Sequence, residues 1–186
     1  MYRAGGFGMR AAFLLAGIKL VVKGRPLSEA AAVYAGNHNS NIDPPAVFLA
    51  LSGLFPRVRV LYKSELRKVP VLVRVFDAAG VVPLDRANRD QSWPAPDRAA
   101  QGMKDGVFFV VVPEGTRSPD GSTHEFKSGV QCLALTYGVD ILPVYLGGTH
   151  QAWPKGRRVP TRRDIVARIG PPLENAHLRR LTEGMK

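Results

Sequence analysis

Residues 107–112 read "VFFVVV" and are apolar at every position. A strand with one face in water alternates apolar and polar side chains; a strand covered on both faces does not. The run therefore predicts a central strand of a parallel sheet with helices on both sides. Three further apolar runs, at residues 30–35, 80–84 and 141–146, fit the same sheet, and a short run, "VRVLY", precedes Lys63. Between them lie helix-like segments at 44–51, 65–76, 97–104 and 128–137. Strands alternating with helices indicate an α/β fold, a largely parallel central sheet flanked by helices. With 186 residues the chain is expected to form one domain, 1–186, with a core of its own. The one linker-like segment is "RANRDQSWPAPDRAA", residues 86–100, rich in polar residues and proline. Near the start, "IKLVVK" alternates and predicts an edge strand.

Each apolar run is followed by a polar cluster: "GNHNSNID", "DR", "PEGTRS" and "GGT". Ligands of open α/β sheets bind at the carboxyl ends of the strands, so these clusters are expected to converge. In the first, His38 and Asp43 admit two readings. A histidine titrates near neutrality and serves as a general base when an aspartate holds its second ring nitrogen. Alternatively, Asp43 only caps a helix that has Pro44 at its first position. The two readings are compatible. In the third cluster Arg117 can present a two-pronged fork to a phosphate, Glu114 can hold that arginine or the loop, and the amides around Gly115 can add anion contacts. The plainer reading is a solvated surface turn, since "SPDG" is turn chemistry. Lys63, Arg86 and Lys127 are each ordinary surface charges when taken singly. Together with Arg117 they make a cationic pocket for one phosphate.

Taken in order, these segments resemble the glycerolipid acyltransferases, the group that contains 1-acylglycerol-3-phosphate acyltransferase. "NHNSNIDP" resembles their His-(x)4-Asp signature, and "YKSELRKVPVLVRVFDAAGVVPLDR" is similar to a Lys-x-Glu-Leu segment leading to a second motif that ends in arginine. "VVPEGTRS" matches the Glu-Gly-Thr-Arg motif, and "ILPVYLGGT" the fourth, built around a proline in a strand. "EFKSGVQCLAL" and "VARIGPPL" fit as well, so that the motif-bearing core runs from about residue 22 to residue 173. The resemblance implies transfer of a fatty acyl chain from a thioester, acyl-CoA or acyl carrier protein, to the free hydroxyl of lysophosphatidic acid or a related lysolipid. His38 would be the base and Asp43 its orienting partner, with no acyl-enzyme and no cofactor. The acceptor-phosphate residues would be Lys63, Arg86, Glu114, Gly115, Arg117 and Lys127. "PLDR" departs from the second motif, where an aromatic or branched residue usually precedes Asp-Arg, and this weakens the transfer to Arg86. The chain lacks a Gly-x-Ser-x-Gly elbow, in keeping with direct transfer. Other acceptors, such as glycerol-3-phosphate, another lysophospholipid or a glycolipid, remain alternatives.

The net charge of +11 calls for an anionic partner. "KGRRVPTRRD", with Arg157, Arg158, Arg162 and Arg163, is the densest basic stretch, and apolar residues 9–15 offer shallow insertion. An anionic membrane surface is the expected partner, and the cytoplasmic membrane face the expected location. The plainer reading makes the arginines a solvated turn and residues 9–15 part of the core. "MRAAFLLAGIKLVV" is broken by Lys19 and falls short of the ~20 apolar residues of a membrane span, so no transmembrane helix is predicted. Few residues precede the first strand, which implies either peripheral docking or a domain excised from a longer protein. Two rivals come from other classes: a basic nucleic-acid module and a silent binder of lipid phosphate. No helix-turn-helix, zinc-ligand or aromatic-platform pattern supports the first, so nucleic acid is not an expected partner. Intact His38 and Asp43 argue against the second. The four histidines are scattered, and no metal site is expected. The lone Cys132 excludes a disulfide framework, fits a reducing compartment, and is read as buried filler in a helix.

Overall fold

The computed structural model describes residues 2–26, 31–63, 82–84 and 106–183. Helix-like segments 65–76 and 97–104, the linker-like segment 86–100 and Arg86 lie outside the described residues. Of residues 80–84, only 82–84 are described.

The chain opens with helix α1 (Tyr2–Leu15) and strand β1 (Ile18–Lys23), followed by β2 (Ala32–Gly36) and helix α2 (Asp43–Ala50). Strands β3 (Val58–Lys63), β4 (Val82–Leu84) and β5 (Phe108–Val111) come next. Helix α3 (Gly129–Tyr137), strand β6 (Asp140–Gly147), helix α4 (Thr149–Ala152), strand β7 (Arg163–Ile169) and helix α5 (Asn175–Glu183) complete the described elements. The strands form one sheet in the order β1-β7-β6-β2-β5-β3-β4. Strands β6, β2, β5, β3 and β4 are mutually parallel. β7 runs antiparallel to β6 and carries β1 parallel to itself at the edge, where "IKLVVK" was expected.

Burial on both faces of "VFFVVV" has a direct counterpart in the packing. Phe108 and Val110 join the core beneath α1 and α2, with Tyr34, Ala46, Leu49 and Ile165. Phe109 and Val111 point the other way, into the core beneath α3, with Val33, Val130, Leu133 and Ile141. The result is a helix–sheet–helix sandwich whose two apolar layers are sewn together by alternate residues of one strand.

Three expectations change. β7 has no counterpart among the apolar runs, because Arg163, Asp164 and Arg168 stay in water while only Ile165, Ala167 and Ile169 are buried. Residues 9–15 belong to a helix that both packs and protrudes: Phe13 is buried, whereas Leu14 and Leu15 are exposed. Cys132 is exposed rather than buried filler. In α3 the core takes Val130, Leu133 and Ala134, and Cys132 lies off that helical stripe.

Pro143 sits in an interior strand without breaking the sheet. Its carbonyl accepts from the Gly170 amide at 2.9 Å on the β7 side, which is also the side of its missing N–H, just beyond the last β6–β7 pair. A Cβ on Gly170 would lie 2.8 Å from the Pro143 ring, so the glycine lets the chain pass.

The end of β2 is fixed by a side chain that imitates backbone. Asn37 Nδ2 donates to the Leu146 carbonyl at 3.0 Å, and its Oδ1 accepts from the Leu146 amide at 2.7 Å. This buried amide extends the β2–β6 pairing by one step just before the loop that carries His38. Replacing it with Ala leaves both Leu146 groups unpartnered, at a cost of about 2–4 kcal/mol. Asn37→Ala is therefore expected to lower the urea midpoint of unfolding with little change in slope. An unchanged midpoint would refute this role.

Candidate active site

The parallel strands deliver their carboxyl ends to one edge of the sheet, where the loops after β2, β5 and β6 meet. Residues 37–42 leave β2 and immediately wrap around Asp43. His38 Nδ1 lies 2.9 Å from Asp43 Oδ2, and the same oxygen accepts from the amides of Asn39 at 2.6 Å and Ser40 at 2.7 Å. A carboxylate has only acceptors to offer, so His38 Nδ1 carries the hydrogen and Nε2 is left as the acceptor of the neutral ring. Nε2 has no hydrogen-bond partner among the described residues, and the His38 side chain is 22% exposed. Asp43 is 3% exposed.

Asp43 does not cap α2 as one reading of the sequence expected. The residue before the helix is Ile42, and Asp43 is the first helical residue. The two positions after it are Pro44 and Pro45, which have no amide hydrogens to offer a capping side chain. The carboxylate turns back to the amides before it instead. It caps the loop, and the loop presents His38.

The turn after β5 locks onto this loop. Glu114, also 3% exposed, accepts from the His38 amide at 2.9 Å through Oε1 and from the His124 amide at 3.1 Å through Oε2. Both of its oxygens thus hold backbone, and the carboxylate lies beneath the loops. The Ser118 amide donates to the His38 carbonyl at 2.8 Å, so His38 is gripped on both sides of its own backbone. Arg117 Nη1 donates to Asn41 Oδ1, which brings the guanidinium to the loop of the dyad. Gly115, with φ of +72°, closes the turn through its amide on the Val112 carbonyl. In the adjoining "SPDGS" turn, Asp120 accepts from the hydroxyl and amide of Ser122 and from the Ser118 hydroxyl. Those donors, the Ser122 hydroxyl foremost, hold the Asp120 carboxyl well below the usual carboxylate range.

The remaining predicted residues are placed less completely. Lys127 is exposed, and its amide is tied to the Pro113 carbonyl at 3.0 Å, behind the Glu114 turn. Lys63 is the last residue of β3, described in its backbone only, at the same sheet edge. Arg86 lies outside the described residues. Sequence reasoning passed over the supports: Asn37, Ser40, Asn41, Ser118, His150 and Trp153. Ser40 Oγ donates to the Trp153 carbonyl at 2.7 Å and accepts from the Ile42 amide at 3.1 Å. The density of Asn and Ser in "GNHNSNID" was the available signal, since short polar side chains in such a turn bond backbone. No described helix is long and apolar enough to cross a membrane, and no group of His, Cys, Asp and Glu among the described residues is arranged to hold a metal ion.

Comparison with known proteins gives a consistent result. The family model described as Acyltransferase matches residues 19–147. The chain is 34% identical over 171 residues to a 1-acyl-sn-glycerol-3-phosphate acyltransferase of Limnanthes alba, covering 86% of this chain and 56% of that protein. It is 32% identical over 138 residues to the enzyme of the same name from Borreliella burgdorferi, covering 73% of this chain and 54% of that one. The chain thus spans about half the length of these curated relatives. The crystal structure of the 1-acyl-sn-glycerophosphate (LPA) acyltransferase PlsC from Thermotoga maritima superposes with a TM-score of 0.75 at 30% identity, over 99% of this chain and 76% of that one.

The two-amide role of Glu114 can be tested by itself. In Glu114→Gln one of the two amides must face an NH2 group in place of an oxygen, and a charge-assisted bond is lost. The variant should be destabilised by about 1.5–3 kcal/mol in urea unfolding. Hydrogen exchange at the His38 or His124 amide should speed up by more than the global loss accounts for.

Proposed function

The chain belongs to the acyltransferase family, and from that premise we propose that it moves a fatty acyl group from an acyl thioester to the free hydroxyl of lysophosphatidic acid. The donor is acyl-CoA or acyl carrier protein. The observation that carries the reading is one loop holding both chemical parts: His38 bonded to Asp43, and Asn41 bonded to Arg117.

In this reading the acceptor hydroxyl donates its proton to His38 Nε2 as its oxygen attacks the thioester carbonyl. The Nδ1–H···Asp43 bond holds the ring in the needed tautomer and stabilises the imidazolium as it forms. The tetrahedral intermediate collapses by breaking the carbon–sulfur bond, and the departing thiolate takes the proton back from Nε2. The ester and the thiol leave, and the enzyme is unchanged. Backbone amides supply the oxyanion contacts. Arg117 holds the acceptor phosphate, aided by Lys127, Lys63 and Arg86, while Glu114 and Gly115 shape the turn that presents it.

Membrane docking follows from the substrate. On α1, Phe7, Leu14 and Leu15 are 75%, 79% and 89% exposed. A cleft of about 1040 Å³ lies beside them, lined by Arg10, Phe13, Lys19 and Arg162 among others, and it does not include His38. Arg157, Arg158 and Arg163 are exposed as well. We propose that this apolar and basic edge rests on the anionic cytoplasmic face of a membrane, where each cation adds roughly 1 kcal/mol. The protein should co-sediment with vesicles containing phosphatidylglycerol and much less with phosphatidylcholine alone. Equal, negligible binding to both would refute the docking.

The reaction is tested by assaying acyl transfer from acyl-CoA and acyl carrier protein to a panel of lysolipids, glycerol-3-phosphate and a phosphate-free glycolipid. His38→Ala should lose on the order of 10³-fold or more in kcat, and undiminished turnover would end the general-base assignment. Arg117→Ala should act mainly through a raised KM, and only for acceptors that bear phosphate.

A further inference from the structure

His150 belongs to none of the segments that supply the dyad or the phosphate residues, yet it touches both loops of the site. The chain leaves β6 through Gly147 and Gly148. Gly148 has φ of +78°, and a Cβ there would meet the Asp164 carbonyl oxygen at 2.9 Å. This turn folds α4 back against the loop after β2. Trp153, just past α4, accepts from the Asn41 amide and the Ser40 hydroxyl through its carbonyl. His150 Nδ1 lies 3.3 Å from the Asn39 carbonyl oxygen. On its other side the ring packs against the turn that follows Arg117: a Cβ at Gly121 would lie 2.8 Å from the His150 Cγ.

A carbonyl oxygen only accepts, so His150 Nδ1 carries the hydrogen in this contact. The carbonyl of Asn39 and the amide of Ser40 belong to a single planar peptide unit. That amide donates to Asp43 Oδ2 at 2.7 Å, and the same oxygen accepts from His38 Nδ1 at 2.9 Å. An unbroken chain therefore runs from His150 Nδ1–H through the 39–40 peptide to Asp43 and on to His38. A donor on the carbonyl draws electron density out of the peptide and makes its N–H a stronger donor. It also holds the peptide plane in the orientation that aims that N–H at the carboxylate.

We propose that His150 is a positioning residue for the dyad. It sets the 39–40 peptide, and through it the Asp43 carboxylate and the His38 ring, while its ring packing ties this arrangement to the Arg117 turn. The inference rests on His38 acting as the base, as set out above. Its role is distinct from that of Asp43, since His150 reaches the dyad only through backbone.

Three substitutions separate the parts of the argument. His150→Phe keeps a ring against Gly121 and removes the donor. His150→Asn keeps a donor near the Nδ1 position and removes most of the ring. His150→Ala removes both. The Phe variant should lose roughly fivefold in kcat, about the worth of one hydrogen bond, with the acceptor KM little changed. The Asn variant should recover most of that kcat. The Ala variant should lose kcat and also raise the acceptor KM, because the Arg117 turn loses its packing. Independently of turnover, the Ser40 amide proton should move upfield in the NMR spectra of the Phe and Ala variants and return toward its native position in Asn. A Phe variant with native kcat and an unmoved Ser40 amide would overturn the proposal. So would equal losses in all three variants that track their loss of thermal stability. If instead the unsubstituted protein shows no transfer, or His38→Ala keeps full activity, the reading of the reaction fails. The Ser40 shift then still decides whether the hydrogen-bond chain exists.

Discussion

One oxygen atom organises the site. Asp43 Oδ2 accepts from an imidazole and from two consecutive backbone amides, all within 2.6–2.9 Å. A nearly buried carboxylate is tolerated only when donors replace the water it has lost, and charge-assisted bonds of this kind are among the strongest a protein makes. The loop has little choice but to wind around that atom. His38 is held by the same winding, since the residue that must be aimed and the residues that satisfy the charge are neighbours in sequence. The second oxygen, Oδ1, is buried with no partner among the described residues, so the wrapping is one-sided and all of its directional force falls on Oδ2.

Glu114 repeats the device from the other side. Its carboxylate is buried, holds the His38 and His124 amides, and ties the loop after β2 to the turn after β5. Two acids thus sit inside a protein whose net charge is +11. The separation is physical. Carboxylates suit backbone amides and can be enclosed by a loop, whereas long cationic side chains keep their heads in water. The acids build the frame, Arg117 lies half-buried against it, and Lys127 and the basic stretch from Lys155 to Arg163 stay on the outside. The neutral amide of Asn37 does for the strand end what the acids do for the loops.

Much of the fold was legible because burial leaves a periodic trace. "VFFVVV" carries no alternation because Phe108 and Val110 serve one core and Phe109 and Val111 the other. Convergence of the clusters after β2, β5 and β6 followed from parallel strands ending at one edge. What escaped notice had no such trace. β7 buries every second residue from Ile165 on, but Arg163, Asp164 and Arg168 give it the charge of a polar turn. The orientation of Asp43 depended on an absence, the missing amide hydrogens of Pro44 and Pro45, and a preference for aspartate at helix starts pointed the wrong way. The exposure of Cys132 depended on which side of α3 faces the sheet, and one residue of rotation about a helix reverses that. His150 could not be found from spacing, because its link to the dyad passes through a peptide plane rather than through a side chain.

The order of elements across the sheet suggests why this edge suits an amphiphile. β2, which carries His38, is central. On one side come β5, β3 and β4, whose carboxyl ends bring Arg117 and Lys63 toward the same edge. On the other come β6, β7 and β1, and the exposed Leu14 and Leu15 end α1 just before β1 begins. Arg117 and Lys63 therefore lie to one side of His38, and the exposed apolar residues, with Arg10, Lys19 and Arg162 beside them, to the other. A lysolipid, the proposed acceptor, carries phosphate, then hydroxyl, then chain, and in the proposed reaction its hydroxyl reaches Nε2 while both ends are accommodated. A substrate lacking either end would meet only half of this surface. Binding energy from both ends is then available to bring the hydroxyl to the base, where neither end takes part in the chemistry. In that proposal the sheet edge and the fixed ring of His38 are complementary: one would position the acceptor along the edge, and the other holds the proposed base in place.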